Sequence, residues 1–519
     1  MKRLTPTLGA LLFTASAGTA FASTGVDSPD NGVEQLGRGD AWVARADDPL
    51  AVYYNPAALA TQASGVHLGV HLMFMHPCFT RVDVNGQPVS PGGAVPGPGA
   101  PGGPPAEVCA STSPFPNPQL AGTIRITDQL AIGLAVVAPH GAGNIEWPET
   151  IEYKNKFGIS SQQPAPNRYL LTKADSILLF PTVSIGYAIT RQISVGAGFI
   201  WGIAKVQYSN FSEAVSNTNE DAFDAHGDVK ARLDATDAFI PGFIVSGLWQ
   251  ATDRVDVGAW FKWIAAIDSD ADVYSESLYW QANGSKNPTP CKNNPEGPSC
   301  NITDPSDKEG RVKFQLPMEA KLGARYHHPR PGGARPKWAG GTRPVRDPLS
   351  EDLFDVEMDL TWAHNSAVED LQLRFHPGIA VKGTGGGVIP ANADIKHDWK
   401  DVVGVRLGGD FVVLPSLVAL RVGGFFETKG QDDKYLNLDF DVASKIGVGG
   451  GGTVRLGPVD ASIAFQHTFY GAIDNGGKGA IKALSGDATR PDARSQQVVN
   501  GGKLTTSLNE VGLSGTLRF

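Results

Sequence analysis

The sequence predicts an all-β fold, an antiparallel transmembrane β-barrel of about 14 strands. Three observations predict it. Runs of alternating apolar and polar residues are joined by turns of about three residues, the hairpin signal. Long polar connections lie between those turns, so short and long loops take turns along the chain. The chain also opens on an export signal and closes on an alternating strand that ends at Phe519.

The bulk composition agrees. Across 519 residues the formal net charge is -9, and Lys and Arg are scattered, so no nucleic-acid partner is expected. The apolar fraction is 41%, and no stretch beyond the N-terminus approaches the ~20 apolar residues of a spanning helix. A barrel fits this composition, because its strands alternate apolar with polar residues. A soluble β-sandwich competes, but its strands usually run near 5–6 residues, shorter than the runs here.

Residues 1–22 read as a secretory signal. Lys2 and Arg3 supply the charged start, Leu8 to Ala17 the apolar core, and Ala20-Phe21-Ala22 an A-x-A cleavage site before Ser23. Residues 23–63 break the strand pattern. There Leu36, Ala41, Val43, Leu50, Val52, Tyr53 and Tyr54 are interleaved with Arg38, Asp40, Arg45, Asp47 and Asp48. That mixture suits a compact segment of short helices, either a periplasmic extension or a plug folded into the lumen.

Residues 64–519 carry the barrel. Short turns fall at Thr127-Asp128-Gln129, Thr190-Arg191-Gln192, Thr252-Asp253-Arg254, Leu414-Pro415-Ser416 and Leu456-Gly457-Pro458. A sixth connection, Pro329 to Ser350, is longer and basic. The opposite connections lie near 76–117, 140–174, 213–232, 284–310, 376–396, 428–437 and 473–503. Six periplasmic connections, with both termini on the same side, give about 14 strands.

Alternation assigns the faces. Val255, Val257, Ala259, Phe261 and Trp263 would face lipid, with Asp256, Gly258 and Lys262 in the lumen. Phe354, Val356, Met358, Leu360 and Trp362 point out, and Asp355, Glu357 and Asp359 point in. Val403, Val405, Leu407 and Phe411 point out, opposite Arg406 and Asp410. A charge at mid-bilayer on the lipid face costs about 2–4 kcal/mol, so every second position must be luminal. Lys313, Glu319, Lys321, Arg325, Asp355, Glu357, Asp359, Arg406, Asp410 and Arg421 are thus expected to form a luminal charge network.

The four cysteines form two local pairs, Cys78 with Cys109 and Cys291 with Cys300. Each brackets a Pro-, Gly- or Asn-rich loop on an exported chain, which predicts two disulfides. Neither pair has the CxxC spacing or the companion His pair of a zinc site, so no metal is expected. No GxSxG or HExxH occurs, and Gly447 to Gly452 lacks the GK[ST] ending of a phosphate loop. No enzyme and no cofactor is expected.

The N-terminal segment carries a resemblance. Gly37-Arg38-Gly39-Asp40-Ala41, Ala44 to Pro49, and Tyr53-Tyr54-Asn55-Pro56-Ala57-Ala58-Leu59-Ala60 resemble the hatch signature of the FadL family of outer-membrane transporters. Pro139-His140-Gly141 with Trp147, Arg168-Tyr169, Pro181 to Tyr187, Ile193 to Gly198, and Trp399-Lys400-Asp401 with Arg406 to Gly409 are similar in style. The resemblance implies a helical hatch at 23–63 inside a 14-stranded barrel, with Gly37, Gly39, Asp40, Asn55, Pro56 and Ala57 as its motif. It implies passive uptake of long-chain fatty acids or other hydrophobic compounds, alkanes or aromatics included. It also implies a mobile hatch and a lateral exit at a kink in the third strand, here Ala138, Pro139, His140 and Gly141. The first loop and the basic 329–350 connection depart from the family pattern. A general porin or an adhesin-like barrel is the alternative. Expected partners are outer-membrane lipid, lipopolysaccharide and, through the C-terminal strand, the barrel assembly machinery. The expected location is the outer membrane of a Gram-negative cell, as a monomer.

Overall fold

The computed structural model describes residues 32–87, 107–112, 114–139, 143–154, 160–213, 228–277, 279–280, 286–287, 302–303, 309–331, 345–375, 379–382, 388–389, 391–484 and 494–519. The signal segment, residues 23–30, the Cys291–Cys300 pair, His140 and Gly141 lie outside these residues.

Alternation becomes a closed antiparallel barrel of fourteen strands. In order they run Gly65–Met75, Phe115–Arg125, Leu130–Val137 continued by Gly143–Glu146, Lys173–Ala188, Ile193–Glu213, Asp228–Gln250, and Val255–Ile264 continued by Ile267–Ser277. The eighth is Glu319–Pro329 with Glu309–Phe314, and the ninth Asp352–Ala363 with Asp370–Phe375. Val402–Leu414, Val418–Glu427, Lys445–Leu456, Val459–Tyr470 and Ser507–Arg518 complete the wall. Closure comes from the first and last strands, paired from Gly65↔Arg518 to Met75↔Leu508. Closure leaves the sheet without a terminal edge strand.

The outer face is an apolar belt. Leu68, Val183, Val356, Leu407, Val422, Ile463 and Leu513 are all exposed, as a lipid-facing surface requires. Phe519 lies beyond the last strand, its amide donating to the Ser64 carbonyl at 3.0 Å.

Inside the barrel, residues 32–62 are buried throughout. They form two single-turn helices, Val33–Leu36 and Ala51–Tyr54, and a 3-10 turn, Pro56–Thr61. Asn55 caps the last of these, its Oδ1 accepting from the Ala57 amide at 3.2 Å. At the extracellular end, Cys78–Arg81 pairs with Glu107–Cys109 and with Gly502–Thr505, tying the first loop to the last. The Cys78–Cys109 disulfide staples that junction.

One face assignment fails. Lys313 is not luminal; it is about half exposed and lies beside Asp268 at 3.9 Å. Pro317 explains the shift, since proline cannot donate to the ladder and interrupts the eighth strand between Phe314 and Glu319. Leu316 and Pro317 are both buried, so two consecutive residues turn inward and the alternation changes phase.

Candidate functional site: a luminal segment between two unlike walls

The luminal segment meets an ionic wall on one side. Arg38 reaches Asp355 at 2.7 Å and Asp410 at 2.8 Å, and Arg45 reaches the same two carboxylates at 2.9 and 2.8 Å. Glu34 pairs with Arg421 at 3.0 Å. Asp40 accepts from Lys321 at 3.0 Å and faces Arg406 at 3.2 Å. Asp359 accepts from the amides of Trp42 and Val43, and Glu357 from that of Ala44. Arg325 bridges Asp352 and Asp355, while Lys262 pairs with Glu319. The structure therefore brings Lys321, Arg325, Asp355, Glu357, Asp359, Arg406, Asp410 and Arg421 of the expected charge network together, sets Glu319 against Lys262 instead, and leaves Lys313 outside. Charge-assisted bonds of this kind fix geometry as well as adding attraction.

Backbone shape lets the segment come that close. Gly39 and Asp40 have φ of 58° and 60°, so the chain turns sharply after Arg38. A Cβ on either Gly408 or Gly423 would lie 2.1 Å from the Arg38 carbonyl oxygen. Only glycine leaves room there for the segment to touch the wall.

The opposite wall is apolar. Val52, Tyr53, Tyr54, Ala57, Ala58 and Leu59 pack in one cluster with Leu178, Phe180, Ile200, Ile240, Ile244 and Trp260. The Trp260 indole donates to the Tyr53 carbonyl at 2.7 Å, and Ser184 donates to that of Val52 at 2.6 Å. Pro56 and Ala57 lie against Gly196, where a Cβ would sit 2.2 Å from the Ala57 nitrogen. The cluster continues toward the extracellular end through Ile264, Val273, Phe314, Leu373, Phe375 and Trp399. Near that end a cavity of about 50 Å³ is lined by Phe211, Leu233, Val273, Phe375 and Ile395, among others.

Beside the apolar wall the barrel wall is broken. The second strand pairs with the third from Arg125↔Ala131 only as far as Leu120↔Val136. Residues 115–119 keep their ladder to the first strand and have none to the third. The third strand's continuation pairs instead with Ser111 and Thr112. Its register to the fourth strand also shifts, from Val137↔Phe180 to Gly143↔Ser176, which places two extra residues in the third strand. Pro116 and Pro118 offer no amide to close the gap. The Asn117 Nδ2 donates across it to the Ala138 carbonyl at 3.0 Å. Ala138 and Pro139 lie at the break itself.

The periplasmic end is crossed by residues 345–351 of the long connection. The Arg346 amide donates to the Thr61 carbonyl at 2.9 Å, and its guanidinium pairs with Asp256. Asp347 receives Arg455 at 2.7 Å, and Leu349 packs on Val412 and Ala419. This stretch thus spans from the seventh strand to the twelfth beneath the luminal segment. Residues 332–344 of the connection are not among those described.

Residues 14–332 match the family described as Outer membrane protein transport protein (OMPP1/FadL/TodX). The chain belongs to that family. It is an outer-membrane transport protein for hydrophobic compounds, not an enzyme. Solved structures share the fold. A Pseudomonas aeruginosa FadL homologue is 16% identical with a TM-score of 0.65, covering 95% of this chain and 100% of its own. The P. putida toluene transporter TodX is 13% identical with a TM-score of 0.54, covering 93% and 99%. The Ralstonia pickettii toluene transporter TbuX is 14% identical with a TM-score of 0.53, covering 95% and 99%. No curated protein matches the chain.

Motif reading missed several contacts of this FadL-type barrel. Arg38 and Arg45 carry the ionic wall, and Arg38's position between two glycines was the available signal. Tyr53, Trp260 and Lys262 meet across more than 200 residues, Lys262 lying 3.2 Å from the Tyr53 hydroxyl. Nothing local in the sequence marks that contact.

Proposed function

We propose that this protein takes long-chain fatty acids or other hydrophobic compounds from the extracellular side and releases them sideways into the outer membrane. Residues 23–63 act as the hatch. The observation that carries this reading is the break in the third strand, set directly beside the apolar wall at Ala135, Val137 and Phe180. Cargo on that wall has an apolar way out that avoids water. The route through the lumen is obstructed by the buried segment and, beneath it, by residues 345–351.

Energetics favour such an exit. Burying a methylene is worth about 0.8 kcal/mol, so ~12–16 buried carbons would gain on the order of 10 kcal/mol. A cargo held that firmly leaves only if its surroundings rearrange. The hatch beside the break, its apolar half above all, is the element placed to do so. TodX and TbuX are toluene transporters, which supports small aromatics as cargo alongside fatty acids. We read the protein as a monomer in contact with lipid and lipopolysaccharide, its C-terminal strand being the part the assembly machinery would engage.

The test is uptake of radiolabelled oleate and toluene by cells lacking their own transporter, set against sugar-driven swelling of liposomes. Uptake without swelling is expected. Swelling without uptake would replace this reading with a porin.

A further inference from the structure

Two buried hydrogen-bond donors near the extracellular end, and a third on the luminal segment, have no partner among the described residues. Ser212 is 3% exposed and lines the cavity near the extracellular end; its Oγ has no hydrogen bond. Trp399 is also 3% exposed, and its Nε1 is unpartnered. Its ring sits edge-on to Phe314, His397 and Phe440, with centroids 5.1–6.1 Å away. Deeper still, Trp42 on the hatch is 1% exposed, and its Nε1 is likewise unpartnered. Buried polar groups are nearly always paired, so these unpaired donors call for a cause.

From these donors we infer that the cargo is an uncharged hydrophobic molecule bearing an acceptor oxygen, such as a phenol or an alcohol, in preference to a bare hydrocarbon. The inference rests on the transport reading above and names its substrate class. An indole N–H can only donate, and a serine hydroxyl can donate as well. Both therefore suit an oxygen acceptor, and a hydrocarbon would leave them unpaired. The three donors are neutral, and Arg232, Asp394 and Lys482, which also line the cavity, each have partners of their own, so a hydroxyl, ether or carbonyl fits better than a carboxylate. Rings around Trp399 offer edge and face contacts that suit a planar cargo. The cavity at Ser212, about 50 Å³, accepts the polar end of such a molecule. Trp399 and then Trp42 would receive the oxygen at successive depths.

The test uses a pair matched in shape, radiolabelled 4-methylphenol and 1,4-dimethylbenzene, with initial uptake measured in cells expressing the full chain. The expected ratio of phenol to hydrocarbon uptake, corrected for cells without the protein, is roughly tenfold. Trp399→Phe keeps a ring but loses the N–H, and should bring the ratio toward one. Ser212→Ala should lower it as well, by a smaller factor. Equal uptake of both compounds by the natural chain would leave transport standing and overturn this inference. A ratio unmoved by both substitutions, in barrels shown to be folded by heat-modifiable migration, would also overturn it. If neither compound enters above the background, this inference falls, and oleate uptake by the same cells decides whether the transport reading falls with it.

Discussion

Residues 32–48 of the luminal segment meet the barrel mainly through ions and charge-assisted amide bonds, whereas residues 49–62 meet it mainly through apolar side chains. The two halves differ in what they tolerate. Ionic contacts at 2.7–3.0 Å fix one register, because a shift would leave buried charges unpaired. Apolar packing is non-directional, so a small slide trades one contact for another. The ionic half is built as an anchor. The apolar half adjoins the third-strand break, where a small displacement would open or close the proposed exit.

The sharpest way to break this comparison is Arg38→Met. It leaves Asp355, Glu357 and Asp410 short of a buried cation, at a cost of about 3–5 kcal/mol. The segment should leave the lumen, so residues 32–62 become protease-sensitive. Residues 32–62 that stay protected would show that the ions are not the anchor. Leu59→Ala attacks the other half and should cost roughly 2–3 kcal/mol. Amide exchange should then rise at 51–60 and stay slow at 34–45; equal loosening would mean that the halves are one cooperative unit. Ser184→Ala removes the 2.6 Å bond to the Val52 carbonyl, an effect of about 1 kcal/mol confined to the same region.

The smallest effect concerns the extracellular end. Burial opposes charge on His397, but Asp439 facing its Nε2 at 2.9 Å, and more weakly Asp370, raise its pKa above the ordinary imidazole value. A raised folded pKa contributes stability fully below the unfolded value near 6.5 and loses it as pH rises through the folded value. Proteolysis of the loop around 391–400 should therefore be slower at pH 6 than at pH 9, and His397→Gln should flatten that difference.

The barrel was legible in the sequence because alternation is a local signal. Asp355, Glu357 and Asp359 had to point inward whatever they touched. Lys313 was not legible, since the phase change at Leu316-Pro317 depends on how the interrupted strand resumes. Asn55-Pro56-Ala57 marked the segment, yet its fit to Gly196 appears only when strands more than 100 residues away close around it. Trp399, Phe314 and Phe440 come from three separate stretches, so no motif could have joined them. The third-strand break was half visible. Pro139 marked it, while the loss of pairing at residues 115–119 needed the register.

Lateral exit is tested most directly by closing the break. Asn117→Cys with Ala138→Cys places thiols on the two sides of the gap, where Asn117 now bonds to the Ala138 carbonyl. A short bifunctional thiol crosslinker is added to cells, and uptake of radiolabelled toluene and oleate is followed before and after. Lateral exit predicts a fall of roughly tenfold or more in crosslinked cells, with neither single-cysteine chain affected and the barrel still folded. Full uptake through a barrel whose gap is demonstrably crosslinked would contradict it.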